Sequence, residues 1–376
     1  MLEDPGRRQF LKQATVLALT GLGGCVTGGG LPGGTRTRLT LAGQVLMKFP
    51  VCAAPYDGLA EVIAELRGGD AVFTDLEVAI ETPRSGAPTR DDEYLHAAPP
   101  SSLDCLREMG FTLLALSNNH AWDLGTAGVL ATRQAVAQAG FGFAGTGHDL
   151  AEASAAGFVP GPPRVALVAA AAGKIREGAA ATASRPGVNE LRMRSGVPDE
   201  ADVLRNLRSI AAASAEADHV IAYLHNHDWG DDMRVTRPWA RDFARRCIEA
   251  GADVFVSHGA PLLHGIELHR GRPVLHGLGS LVFQSRTLPG HYPPEVWESA
   301  LVHCDFEGNR LVALRAVPVV LNEQADEPGR FSETRGRPRL ARGDPATRIL
   351  GRLASLSTGL GTELSIDAGS GQVLWR

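Results

Sequence analysis

Apolar positions along the chain switch between two periods. Residues 38–47 alternate in the manner of a strand, whereas Leu59, Val62, Ile63 and Leu66 recur at i, i+3, i+4 and i+7, the spacing of an amphipathic helix. The same reading predicts strands at 70–76, 112–117, 164–171, 219–224 and 253–257. Helices are predicted at 101–109, 126–139, 200–217 and 237–250. The last third changes character. IELHRGRPVLH and LVHCDFEGNRLVALRAV read as hairpins with Arg-Gly and Glu-Gly-Asn turns. Residues 322–344 are charged and rich in Pro and Gly, the pattern of a loop, and a short helix and a final strand pair follow. No internal repeat is present. Strands alternating with helices predict one α/β (α+β) domain over 38–322, with mixed sheets flanked by helices and a C-terminal extension, 323–376, packed on it.

Residues 1–25 read as an address. Arg7 and Arg8 open a basic stretch, 14–22 is a short and mostly apolar run, and Leu22-Gly23-Gly24 leads into Cys25. The segment resembles a twin-arginine export signal ending in a lipoprotein processing site, with Gly6 where Ser is usual. Cys25 is therefore the expected lipidation residue, and glycine-rich 26–37 the leash behind it. Export by the twin-arginine pathway and tethering to the periplasmic or extracellular face of a membrane are expected. No apolar run in the sequence is long enough to span a bilayer.

Composition narrows the partners. Thirty-seven Lys and Arg against 42 Asp and Glu give a net charge of −5, which argues against a nucleic-acid clamp. Only Lys12, Lys48 and Lys174 are lysines, which reads as compositional bias rather than phosphate chemistry. Beyond Cys25, Cys52, Cys105, Cys247 and Cys304 form no CxxC pair, so a clustered zinc site is not expected. Buried free thiols are the expected state, although an oxidising compartment permits a disulfide.

Candidate chemistry collects where predicted strands end, the usual location of sites in α/β folds. These ends carry Gln44, then Asp75 and Glu77, then Asn118, Asn119 and His120 with Asp123 behind them. Further along come His225 and His227, then His258 with His264 beyond. Carboxylate, amide and imidazole donors from separate strands suit zinc, manganese or iron, with a remaining imidazole as acid or base. Asn119 and His120 could instead cap the following helix, although two adjacent polar residues exceed what a cap needs. Trp229 and Trp239 fit either a groove floor or the core. Residues 90–93 read as a solvated loop or a lid. His96, His148, His269, His276, His291 and His303 are read as structural. No phosphate-binding GxxxxGK[ST] loop and no GxSxG elbow occurs.

The segments TDLEVAI, LSNNHAWDLGTAGVLATRQAVAQAGF, GFAGTGHDLAEA, HNHDWG and GADVFVSHGAPLLHGIELHRGRPVLHGLGSLVFQ together resemble the CapA family of poly-γ-glutamate capsule synthesis proteins. The resemblance implies a metallophosphatase-like (calcineurin-like) layered sandwich. It implies a divalent metal held by Glu77, Asn119, His225 or His227, and His258, with His120 as general acid and Asp123 orienting it. It further implies an anionic γ-glutamyl polymer or peptide as ligand, and a membrane synthase complex as partner. Two positions depart from the family pattern. Gln44 stands where the family has a carboxylate, and Pro261 where it often has a histidine, although His264 follows closely. A single ion, or a site that has lost its metal, is the corresponding expectation. Two other readings accompany metal-assisted hydrolysis: a non-catalytic polymer-binding or export module, and a metal-independent acid–base enzyme acting on a peptide.

Overall fold

The computed structural model describes residues 36–91, 94–367 and 369–374. The expected export signal, Cys25, most of the expected leash, and Asp92 and Glu93 lie outside the described residues.

The parallel strands are β1 (Arg36–Leu41), β2 (Ala71–Asp75), β3 (Leu113–Ala115), β4 (Gly142–Ala144), β5 (Val165–Ala172), β6 (His219–Asn226) and β7 (Val254–His258). Two hairpins follow: β8 (Ile266–His269) with β9 (Arg272–Leu275), and β10 (Glu298–Glu307) with β11 (Arg310–Leu321). Near the C-terminus lie β12 (Leu364–Asp367) and β13 (Ser370–Val373). The larger sheet has the order β12-β13-β11-β10-β1-β2-β3-β4, with Pro338–Leu340 also paired to β11. The smaller runs β8-β9-β7-β6-β5 and ends on Gly157–Phe158. The longer helices are α1 (Leu59–Leu66), α2 (Ser101–Met109), α3 (Gly125–Gln138), α4 (Glu200–Ser214), α5 (Pro238–Glu249) and α6 (Gly343–Thr358).

Period-two side-chain alternation builds the layers. Leu39, Leu41, Phe73 and Leu113 of the larger sheet meet Val165, Leu167, Ile221, Tyr223 and Val256 of the smaller one in a shared core. On the outer face of the larger sheet, Val72 and Leu114 pack with Val62 and Leu66 of α1 and Leu106 and Met109 of α2. On the outer face of the smaller sheet, Ala166, Val220 and Phe255 pack with Ile210 of α4 and Phe243 of α5. The result is helix, sheet, sheet, helix, and it explains why β5 is apolar at every position: both of its faces are covered.

The structure corrects four expectations. The strand expected over 38–47 begins at Arg36, so Arg36 and Thr37 belong to the sheet and not to the leash. It also breaks at Gly43. A side chain there would meet the Gly279 carbonyl at 2.7 Å, and the chain leaves the large sheet so that Gln44–Leu46 pairs with Ser280–Phe283. The segment read as a loop over 322–344 contains a short helix, Phe331–Thr334, and the strand Pro338–Leu340. Finally, Cys52 and Cys105 are not free thiols but a disulfide with Cα atoms 5.5 Å apart, because the Val51–Ala53 turn packs on α2. Cys247 and Cys304 are buried and free.

Candidate metal and acid–base site

Parallel strands of both sheets end at one edge, where the chain changes direction and polar side chains enter the interior. Parallel pairing sets His225 of β6 opposite both Ala171 of β5 and His258 of β7. β7 then stops at Gly259, whose φ of 113° and close approach to Asn226 leave no room for a side chain. Asp75, Glu77, Asn118, Asn119, His120, Asp123, His225 and His258 are all buried, and His227 is half-buried.

His225 is the hub. Its Nδ1 lies 3.0 Å from Asp75 Oδ2, which can only accept, so Nδ1 carries the proton. The Tyr223 hydroxyl lies 3.3 Å from the same nitrogen. Nε2 lies 2.8 Å from Asn119 Oδ1 and 3.8 Å from Glu77 Oε1, two oxygens that accept, so it reaches them through a proton or through a shared cation. An imidazole oriented by a carboxylate behind it, with its other nitrogen among metal-binding oxygens, is the arrangement of a metal ligand. Glu77, His225 and His227 each offer an atom within 4.8 Å of the others. Glu77 Oε2 and both ring nitrogens of His227 and His258 have no hydrogen-bond partner among the described residues. Buried polar atoms are rarely left so, and Glu77, His225 and His227 together fit a divalent cation, while His258 stands outside that group of three.

Protonation states agree with that fit. Burial drives the His227 imidazole well below its usual range, and the neighbouring His225 and Lys174 charges add to this. Burial and His225 bring His258 down to about 3, offset in part by the Ala42 backbone, which lies near the ring outside hydrogen-bond geometry. Both rings are therefore neutral, the form that binds metal. Burial, then Asp75 and Asp123, push the Glu77 carboxyl well above the usual carboxylate range, with Arg90 opposing. A cation would reverse that shift.

A second network stands beside the first. His120 Nδ1 donates to Asp123 Oδ2 at 2.8 Å, leaving Nε2 free to exchange a proton. Asp123 also accepts from Arg90 Nε at 2.5 Å, from Arg176 at 3.1 Å and from the His96 N–H at 2.8 Å. Arg90 reaches the Asn119 carbonyl as well. Burial raises the Asp123 carboxyl, and Arg90 opposes the rise. Burial lowers His120 well below its usual range, reinforced by Arg90 and His225.

Asn118 braces the turn: its amide donates to Asp75 at 3.0 Å and its oxygen accepts from the His120 N–H at 3.0 Å. Gln44 does not offer its oxygen to the cluster, because Oε1 accepts from the Gly259 N–H at 2.8 Å. His264 sits between two carbonyls, of His276 at 3.1 Å and Met233 at 2.9 Å, and so does not replace the imidazole absent at Pro261. Trp239 is core, its indole N–H donating to Asp228, while Trp229 is half-buried over His227. Three residues escape the sequence reading. Arg90 falls in the stretch read as solvated loop, His96 stacks on His120 at 3.7 Å, and Arg176 reaches in from the segment after β5. All three come from loops, where no hydrophobic period marks them.

The sequence model of the bacterial capsule synthesis protein PGA_cap family matches residues 38–285, from β1 through the Ser280–Phe283 strand, and the chain belongs to that family. A probable polyglutamine synthesis accessory protein of Mycobacterium tuberculosis is 30% identical, over 70% of this chain and 69% of its own length. The PGA biosynthesis protein CapA of Bacillus subtilis (strain 168) is 25% identical, over 71% and 70%. The uncharacterized protein y4sH of Sinorhizobium fredii is 26% identical over 88% of this chain and 91% of its own. Among solved structures, a 5′-nucleotidase precursor from Thermus thermophilus overlaps 76% of this chain and 54% of its own, with 12% identity and a TM-score of 0.42.

Proposed function

We propose that this protein is an exported envelope hydrolase of capsule synthesis that cleaves or transfers amide bonds of an anionic γ-glutamyl polymer. Family membership and the roles for which its relatives are named support the polymer. The Cys52–Cys105 disulfide supports an oxidising compartment, and with it export. The observation that carries the chemistry is the cluster of buried, unpartnered donors around His225.

Glu77, Asn119, His225, His227 and His258 would hold one divalent ion: zinc, manganese or iron. When bound, such an ion polarises a carbonyl and makes water a stronger acid. His120 moves the proton at Nε2. Asp123 holds its Nδ1–H and stabilises the imidazolium, and the lowered basicity of the ring makes that imidazolium a strong donor to a leaving nitrogen. Arg90 and Arg176 keep Asp123 from rotating away.

Metal analysis of the purified chain tests this. One ion per chain is expected, with occupancy lowered by His258→Ala. His120→Ala should keep the ion and lose about 10²–10⁴-fold in cleavage of a γ-glutamyl oligomer. Native protein without metal overturns the reading.

A second reading, a non-catalytic polymer guide beside a membrane synthase, is favoured by Gln44, whose oxygen is spent on Gly259. Oligomer binding without turnover in the metal-loaded chain selects it.

A further inference from the structure

The turn after β5 holds two successive residues in the left-handed region, Gly173 at φ 72° and Lys174 at φ 51°. Gly173 has a steric reason to be glycine, since a Cβ would lie 2.6 Å from the backbone of His227 and Asp228. Lys174 has no such reason. A side chain at positive φ is held against its preference, and positions of that kind cluster where a group must be aimed. This is one of three lysines among 37 basic residues, so a rare residue type occupies an unfavourable conformation at the edge of the site.

Lys174 is exposed, and its ammonium lies 5.1 Å from the centre of the Trp229 ring. That ring is 4.4 Å from His227, and the Lys174 charge is felt at the His227 imidazole. The neighbouring guanidiniums of Arg90 and Arg176 are committed to Asp123. No carboxylate among the described residues pairs with Lys174. A cation stacked on an indole, next to a half-buried imidazole and without a counter-charge, is arranged to receive an anion from solution.

We propose that Lys174 is the carboxylate-binding residue of this site, holding the free α-carboxylate of a γ-linked glutamyl unit while Trp229 supports the ammonium. The inference rests on the polymer reading above and deepens it, because γ-linked chains carry one free carboxylate beside each backbone amide.

Equilibrium binding to the purified full-length chain, read by Trp fluorescence, tests it with two probes. One is a γ-linked glutamate tetramer, and the other is the same tetramer with its α-carboxylates amidated. The wild type should bind the carboxylate probe about 10–100-fold more tightly, the worth of a charge-assisted contact. Lys174→Met should abolish that preference without weakening the amidated probe, and Lys174→Arg should restore part of it. An unchanged preference in Lys174→Met, or an equal loss on both probes, overturns the assignment of Lys174 alone. A wild type that binds neither probe overturns the polymer reading and the assignment with it.

Discussion

One amide oxygen ties the short Gln44–Leu46 strand to the end of β7 at the site edge: Gln44 accepts from the Gly259 N–H while both residues are buried. Gln44→Ala strands that N–H away from water, which costs about 1–3 kcal/mol. Urea unfolding should show this loss, with metal content unchanged; a fall in metal content would make Gln44 a ligand instead. Asp123 presents the opposite case, a buried carboxylate whose partners are cationic. Asp123→Ala leaves Arg90 and Arg176 with uncompensated charge and should cost about 3–5 kcal/mol by the same measurement. A loss below about 1 kcal/mol would mean that solvent compensates the two guanidiniums. The residues differ in how legible they are. His225, His258, Glu77 and Asn119 stand at strand ends, so hydrophobic patterning alone predicts their convergence. Arg90, His96 and Arg176 reach Asp123 through folded loops, and a loop's path is set by contacts that no local period records.

Among the elements, α2 is readable to the residue, since its apolar face and the Gly110 stop are both written locally. The strand read over 38–47 is not, because alternation continues through Ala42 and Gly43 although the chain switches sheets there. What forces the switch is the close packing of Gly43 against Gly279 and Ser299, residues far away in sequence. The Cys52–Cys105 disulfide is likewise invisible, joining cysteines 53 positions apart. Since it holds the Val51–Ala53 turn to α2, a Cys52→Ser/Cys105→Ser protein should lose about 2–4 kcal/mol relative to the oxidised wild type. Reductant should then have no further effect on the double variant. Equal urea midpoints for the two proteins would show that packing alone secures the turn.

For the molecule as a whole, the burial of several neutral histidines sets a pH dependence. His96, His120, His227 and His258 all titrate below the 6.5 of an unfolded histidine. The unfolded chain therefore gains more protons as pH falls below about 6.5, and stability that is fully present above that value is progressively lost. Glu77 works the other way. Its burial costs nothing while both states are protonated, and costs more as pH rises above about 4.5. Asp123, also raised by burial, acts with Glu77, but four imidazoles outweigh these two carboxyls, so the urea midpoint of metal-free protein should be lower at pH 5.5 than at pH 7.5. A flat profile would show that these rings are hydrated or protonated in the folded state. One rung of the small sheet carries a different consequence. Ala171, His225 and His258 become neighbours only when β5, β6 and β7 have paired. The donors proposed for the ion are scattered from Glu77 to His258, so no nascent fragment holds the set. Acquisition of the proposed ion would thus wait on completed folding, and the compartment in which that rung closes would supply the pool from which the ion is drawn. Under the folded export expected from residues 7–22, that pool would be the cytoplasm's, and the identity of the proposed ion would record where the protein folded.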